Sequence, residues 1–427
     1  MIKLNRNIQP DINLVDKIDF FEPEVVKLNN GIPVYLIDTG IQDIIKIEFL
    51  FNAGSWYQDK LMVAKFTNKM LKEGTESYTS EEIAEKIDYY GAHLETSADK
   101  DMAYISFYSL NKHLDNTLPI IGEVIKCPVF PDNDLEIYKQ NRKQEFIINN
   151  KKVRYLARRK FNELIFGKNY PYGRLFDEDD FDRIKRDDLI NFFKDFYYPE
   201  NCKIIIAGKI RKDMVNLLNR YFGGYNGSPQ KINKKKIITI EPNISRRVHV
   251  KKDDAIQSAI RIGKVLFNKK HPDFLKLLVL NTVLGGYFGS RLMTNIREEK
   301  GYTYGIGSAV VSLHNSGYFF ITSEIGNKVT QKAINEIYYE IKVLKEKKIP
   351  ESELDIVRNY MLGSFLRSMD GAFALSDNLK GILEYGLDNS YNRNFIEIIK
   401  NISAEELRNL AQKYLDENSL FEMKVGK

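Results

Sequence analysis

Two stretches of this chain recur at a single spacing, and that spacing is about half the chain. Pro131-Asp132-Asn133-Asp134-Leu135-Glu136-Ile137 returns 219 residues on as Pro350-Glu351-Ser352-Glu353-Leu354-Asp355-Ile356. Each reads as a helix start, with acidic and polar residues in the first turn, where the helix dipole favours them, and apolar periodicity after it. Ile184-Lys185-Arg186-Asp187-Asp188-Leu189 opens a helix through Phe193, Phe196 and Tyr197, turns at Pro199-Glu200-Asn201 and enters the strand Lys203–Lys209. Ile402-Ser403-Ala404-Glu405-Glu406-Leu407 repeats that course at an offset of 218, ending in the strand Leu420–Lys427. Two matches at nearly one offset point to a unit of roughly 200 residues written twice, and self-similarity of this kind fixes the architecture before any local feature does.

A chain of 427 residues exceeds one ordinary core, and 43% hydrophobic with 12% aromatic residues is ample for two. Ile45–Phe51 and Ser258–Gly263 alternate as half-buried strands do, and Gly317–Ser323 is a further strand. Ser80–Tyr90, Asp134–Asn149 and Val329–Lys347 carry helical periodicity. The expected class is α+β: two homologous α/β sandwich domains from tandem duplication, each a mainly antiparallel sheet with helices packed on one face. The expected boundaries are 1–225, a linker over 226–245, and 246–427. The linker contains Asn226-Gly227-Ser228-Pro229-Gln230 and the densest basic run, Lys231-Ile232-Asn233-Lys234-Lys235-Lys236.

A net charge of +6 on 64 basic and 58 acidic residues is a mild imbalance without a concentrated patch, so nucleic-acid binding is not expected. Cys127 and Cys202 lie far apart and show no metal-ligand spacing, which argues against a disulfide framework or a structural zinc site. The N-terminus lacks the apolar core of a secretory signal, and no run reaches the ~18 apolar residues of a membrane span. The expectation is a soluble cytoplasmic chain with no membrane partner, or a periplasmic one if a signal was trimmed.

Five histidines are present: His93, His113, His249, His271 and His314. His93 and Glu95 share one strand face and could form half of a metal site, or simply sit on a surface or edge strand. The glycines of Leu284-Gly285-Gly286-Tyr287-Phe288-Gly289-Ser290-Arg291-Leu292 lack the Gly-Lys-Ser/Thr ending of a phosphate loop and read better as a turn between helices.

Three further runs carry a resemblance. Phe51-Asn52-Ala53-Gly54-Ser55, continued by Lys72-Glu73-Gly74-Thr75, frames the segment Lys65-Phe66-Thr67-Asn68-Lys69. Phe166-Gly167-Lys168-Asn169-Tyr170-Pro171-Tyr172-Gly173 follows, and then the Leu284–Leu292 run with Ile296-Arg297-Glu298-Glu299-Lys300-Gly301-Tyr302-Thr303-Tyr304-Gly305. Together they resemble the pitrilysin/insulinase zinc metallopeptidases, in the short two-domain branch similar to the mitochondrial processing peptidase. In that family the five framed positions read His-x-x-Glu-His, the inverted zinc motif.

The resemblance puts the first metal ligand on Lys65, the general base on Asn68, the second ligand on Lys69 and a downstream ligand on Glu145. An ammonium group has no free lone pair for a metal, and an asparagine cannot take a proton from water. No metal cofactor is therefore expected in this chain, and Lys65 or Lys69 is expected to fill the metal's place by pairing with Glu145; the alternative is a pair of solvated lysines. Arg297 and Tyr304 fall on the family's substrate-carbonyl pair, a fixed cation and a phenolic donor; without the family frame they would read as a buried ion pair and a core tyrosine. The resemblance implies a non-catalytic, alpha-type subunit that lends Arg297 and Tyr304 to a zinc-bearing homologous partner acting on unfolded or short peptides. A stand-alone peptide-binding or scaffold protein of the same fold is the alternative.

Overall fold

Strand alternation resolves into two sheets of like design. The computed structural model describes residues 18, 20–227 and 238–427; the basic run 231–236 and half of the expected linker lie outside them. The first sheet is built from β1 (Glu24–Lys27), β2 (Pro33–Asp38), β3 (Ile44–Phe51), β4 (His93–Ala98), β5 (Ala103–Leu110) and β6 (Cys202–Gly208). Its order is β1-β2-β6-β3-β5-β4. The second is built from β7 (Arg247–Lys251), β8 (Gln257–Leu266), β9 (Ile306–Leu313), β10 (Ser316–Gly326) and β11 (Phe421–Gly426), in the order β7-β11-β8-β10-β9.

Leaving out β1, the two orders match strand for strand. Each sheet has one parallel pairing, β2 with β6 and β7 with β11, and is otherwise antiparallel. The repeated helix starts hold as well, in Asp132–Asn150 and Glu351–Arg367, and in Arg186–Phe196 and Ala404–Tyr414. In the last of these Ser403 and Glu406 form a reciprocal capping box, which fixes where the helix begins.

Each sheet buries one face under its own helices. Ile45, Ile47, Phe49 and Phe51 belong to the core of the first half, and Ile260, Ile262, Phe319 and Ile321 to that of the second. The expectation of helices on a single face fails at the opposite face. There the helix Val153–Phe166 of the first half lies on β8 and β11 of the second sheet, where Ala157, Phe161, Leu164 and Ile165 cluster with Ala259, Phe421, Met423 and Val425. Its counterpart at the repeat offset, Ala372–Leu383, lies on β2 and β6 of the first sheet, where Leu379, Ile382 and Leu383 cluster with Ile37, Leu50, Ile205 and Ala207. Each half thus lends one helix to the other, and each such buried leucine or isoleucine stabilises the union by about 1.5–3 kcal/mol.

This exchange explains why Ile45–Phe51 is buried at every position where alternation predicted a half-buried strand. Lys46 and Glu48, on the polar face, are only 2% and 1% exposed. Glu48 contacts Lys46 at 2.9 Å and Lys380 at 2.8 Å, accepts from Ser376 at 3.2 Å, and Lys46 reaches Asp377 at 2.8 Å. Burial alone would raise the Glu48 carboxyl, but Lys46 and Lys380 outweigh it and hold it below the usual range. Cys127 and Cys202 are free thiols, and no helix among the described residues is long and apolar enough to cross a membrane.

Candidate functional site

The framed segment forms the helix Val63–Met70, which buries Val63, Ala64, Phe66, Thr67, Asn68 and Met70 and leaves Lys65 and Lys69 on its outer side. The frame before it turns against residues 99–101. Gly54 N–H donates to the Asp101 carbonyl at 3.1 Å, and Ser55 and Trp56 N–H donate to Asp99 and Lys100 at 3.0 and 2.7 Å. A Cβ at Gly54 would stand 2.4 Å from the Asp101 carbonyl carbon, so the turn admits only glycine. The Pro-Tyr-Gly segment closes on the same place: the Tyr172 hydroxyl donates to the Asp101 carboxylate, whose other oxygen accepts from His314 N–H at 3.0 Å. His314 belongs to the second half, so Asp101 joins two of the sequence runs to the β9–β10 turn. Burial pushes its carboxyl above the usual range.

The helices Val63–Met70, Asp132–Asn150 and Val153–Phe166 enclose a cleft of about 540 Å³. Lys65 and Glu145 both line it. The expected pairing between them is absent. Glu145 is bound by Arg142, one turn earlier on its own helix, and Lys69 lies 3.8 Å from Glu73, four residues on in the turn that follows its helix. Local i, i+3 and i, i+4 partners reach these groups first. Asn68, 1% exposed, turns into the core, where its Nδ2 donates to the Tyr197 hydroxyl at 3.1 Å and the Tyr104 carbonyl at 3.4 Å.

The cleft wall is cationic. Lys65, Lys100, Arg142, Arg158, Arg159 and Arg174 line it against the single carboxylate of Glu145. Lys65 is solvent-accessible, yet desolvation by the walls, then Arg142 and Arg158, hold its ammonium below the usual lysine range. Burial, and then Lys65, push Lys100 down to about 8. Two lysines, an asparagine and one arginine-bound carboxylate offer no donor set for zinc, and no group of three or more His, Cys, Asp or Glu among the described residues could hold a metal. His93 and Glu95 are exposed on β4, which ends its sheet, so the edge-strand reading of His93 holds.

Arg297 and Tyr304 stand elsewhere, after the turn formed by the glycine-rich run. Neither is a core residue. Arg297 lies over the Phe288 ring at 4.6 Å and has no carboxylate partner among the described residues, and Tyr304 is 92% exposed. The structure does not place them on the wall of the Lys65 cleft. Their loop is held to β10, where Thr303 donates to the Glu324 carbonyl at 2.7 Å; the Glu324 side chain faces Arg154 at 3.8 Å, in the first turn of the Val153–Phe166 helix. The cationic wall escaped sequence reading because its members come from separate elements; only Arg158 and Arg159 are adjacent in sequence.

Comparison with known proteins agrees with this architecture. The family described as "Insulinase (Peptidase family M16)" matches residues 34–170, and "Peptidase M16 inactive domain" matches 183–361. The uncharacterized zinc protease YmxG of Bacillus subtilis is 23% identical over 91% of this chain and 95% of its own length. The non-peptidase homolog YmxG of Helicobacter pylori is 25% identical over 91% and 90%. A crystal structure of a peptidase M16 inactive domain from Pseudomonas fluorescens superposes with a TM-score of 0.86 at 22% identity, over 95% of this chain and 98% of that one. A chain of complex III2 from Candida albicans shares the fold at a TM-score of 0.73 and 15% identity, over 94% and 95%. This chain belongs to the insulinase (M16) peptidase family, as a two-domain member whose zinc positions hold no metal-ligand set.

Proposed function

We propose that the chain is the non-catalytic subunit of a heterodimeric zinc peptidase, lending Arg297 and Tyr304 to the active site of a zinc-bearing homologous partner. The observation that carries this reading is the contrast between the two sites. The metal positions have lost every ligand but Glu145, whereas Arg297 has no carboxylate partner among the described residues and Tyr304 is 92% exposed. A guanidinium and a phenol standing at a surface can donate to a substrate carbonyl held by another subunit. Occurrence of the same fold in a complex III2 chain is consistent with a life in assemblies. The substrates are unfolded or short peptides, held as an added strand by main-chain hydrogen bonds to an open sheet edge. β4 offers such an edge, since it ends its sheet.

The test is reconstitution with the partner. Arg297→Ala in this chain is expected to lower the partner's kcat/KM by about 10²-fold, the scale for a lost oxyanion donor. An unchanged kcat/KM refutes the role.

A further inference from the structure

The cleft beside the degenerate metal positions holds six cations against one carboxylate, and that carboxylate is already bound by Arg142. Among the described residues Lys65, Lys100, Arg158, Arg159 and Arg174 have no carboxylate partner. Lys100 Nζ donates to the Tyr172 carbonyl at 3.3 Å, Arg174 to the carbonyls of Gln58 and Asp59 at 3.5 and 3.0 Å, and Arg158 lies 5.8 Å from the Tyr155 ring. Arg159 has a buried Nε without a partner, and so has the Oδ1 of Asn162; both residues line the cleft.

A second observation stands behind that wall. Arg261 on β8 is 8% exposed and makes no ion pair among the described residues; it lies over the Phe320 ring at 4.3 Å and near the Phe161 ring at 5.8 Å. Burial, with further repulsion from Arg158 and Arg154, pushes it down to about 10, which still leaves it charged at neutral pH. Buried charges in folded proteins are ordinarily paired, because like charges in a poorly solvated wall raise one another's cost. Here the nearest acids are already engaged: Asp101 with Tyr172 and His314, Asp99 with the Asp101 and Met102 amides and the Tyr104 hydroxyl, Glu145 with Arg142, and Glu324 with Arg154. The cleft therefore carries a standing positive potential that a bound anion would relieve.

We propose that this cleft binds an acidic peptide, holding spaced carboxylates with Lys65, Lys100 and Arg158 while Tyr138, Tyr155 and Phe176 cover its apolar parts. No glycine lines the cleft, so it lacks the glycine-rich loop that commonly cradles a phosphate. The cations are spread over three helices and two loops, a layout that suits carboxylates spaced along a chain better than one compact polyanion. β4, with an open edge, leads through Asp99 directly to Lys100 on the wall. The proposal rests on the reading that the chain handles peptides and adds the charge class it selects.

The full chain is titrated, by fluorescence anisotropy at low salt, with a labelled decapeptide alternating Glu and Ala, and with versions carrying Gln or Lys in place of each Glu. Sodium tripolyphosphate is titrated separately by calorimetry. The Glu peptide is expected to bind at least about tenfold tighter than the other two, and to weaken as salt screens the charges. Lys65→Ala combined with Arg158→Ala, both at solvent-accessible positions, is expected to weaken it by at least about tenfold with the melting temperature preserved. Lys342→Ala, which removes a distant cation, is expected to leave it unchanged. Equal binding of the Gln or Lys peptide overturns the charge selectivity and leaves peptide handling standing. Binding of tripolyphosphate with no peptide bound overturns both. Equal loss in the Lys342 variant marks non-specific attraction, and loss through unfolding in the double variant is separated by the single Lys65→Gln change, which must also weaken binding.

Discussion

Lys100 shows at one residue how the cleft's charge reaches into stability. Its ammonium is held down to about 8 by burial first and by Lys65 next, with Arg158 adding to the repulsion and Asp101 and Asp99 opposing it. In the unfolded chain a lysine keeps its proton to about 10.4. Between these values the unfolded state binds more protons, so this group makes stability rise with pH from about 8 upward and withdraws that contribution as pH falls through 8. Urea midpoints of the wild type and Lys100→Met, each at pH 7.5 and 9.5, isolate the effect. The wild type is expected to gain on the variant at the higher pH, and parallel shifts would show that Lys100 is not desolvated. Asn68 teaches a different lesson at the same scale. Its place in the zinc frame was legible in sequence, but its turn into the core, under Tyr104 and Tyr197, was not. The identity of a residue in a motif position says which chemistry has gone; only packing says what has replaced it.

At the scale of elements, strands and helix starts were readable because their signals are local. The expected strands at 45–51, 258–263 and 317–323 fall inside β3, β8 and β10, and the expected helices at 80–90, 134–149 and 329–347 agree with observed ones to within two residues at each end. The exchanged helices went unread because nothing within Val153–Phe166 or Ala372–Leu383 states which sheet it will cover. A polar face on β3 looks solvated until a helix from the far half supplies Lys380, Asp377 and Ser376 to it. That ion cluster yields a prediction for the element pair. Glu48→Ala removes the buried carboxylate that Lys46 and Lys380 share and leaves both on the half-exposed Asp377, and removal of one partner from a buried pair costs up to about 3–5 kcal/mol. Thermal and urea unfolding are expected to show a loss of that order, and a change below about 1 kcal/mol would mean that the cluster is no better than a surface pair.

For the molecule as a whole, the reciprocal exchange makes the two halves mutually dependent. A polypeptide of residues 1–227 produced alone would expose the face of its sheet that holds Ile37, Leu50, Ile205 and Ala207, and is expected to aggregate. Produced together with residues 238–427 as a second polypeptide, it is expected to emerge as a soluble one-to-one particle on size exclusion; a well-behaved, cooperatively melting first half on its own would contradict this. The same geometry bears on synthesis. A ribosome adds about 5–20 residues per second, so the first sheet is complete on the order of ten seconds before the helix Ala372–Leu383 exists to cover it. During that wait the nascent protein carries an open apolar flank, which is the kind of surface that holding chaperones grip. A single unit of this design could meet the same need by trading helices with a second copy, and two units in one chain turn that meeting between molecules into a delay within one.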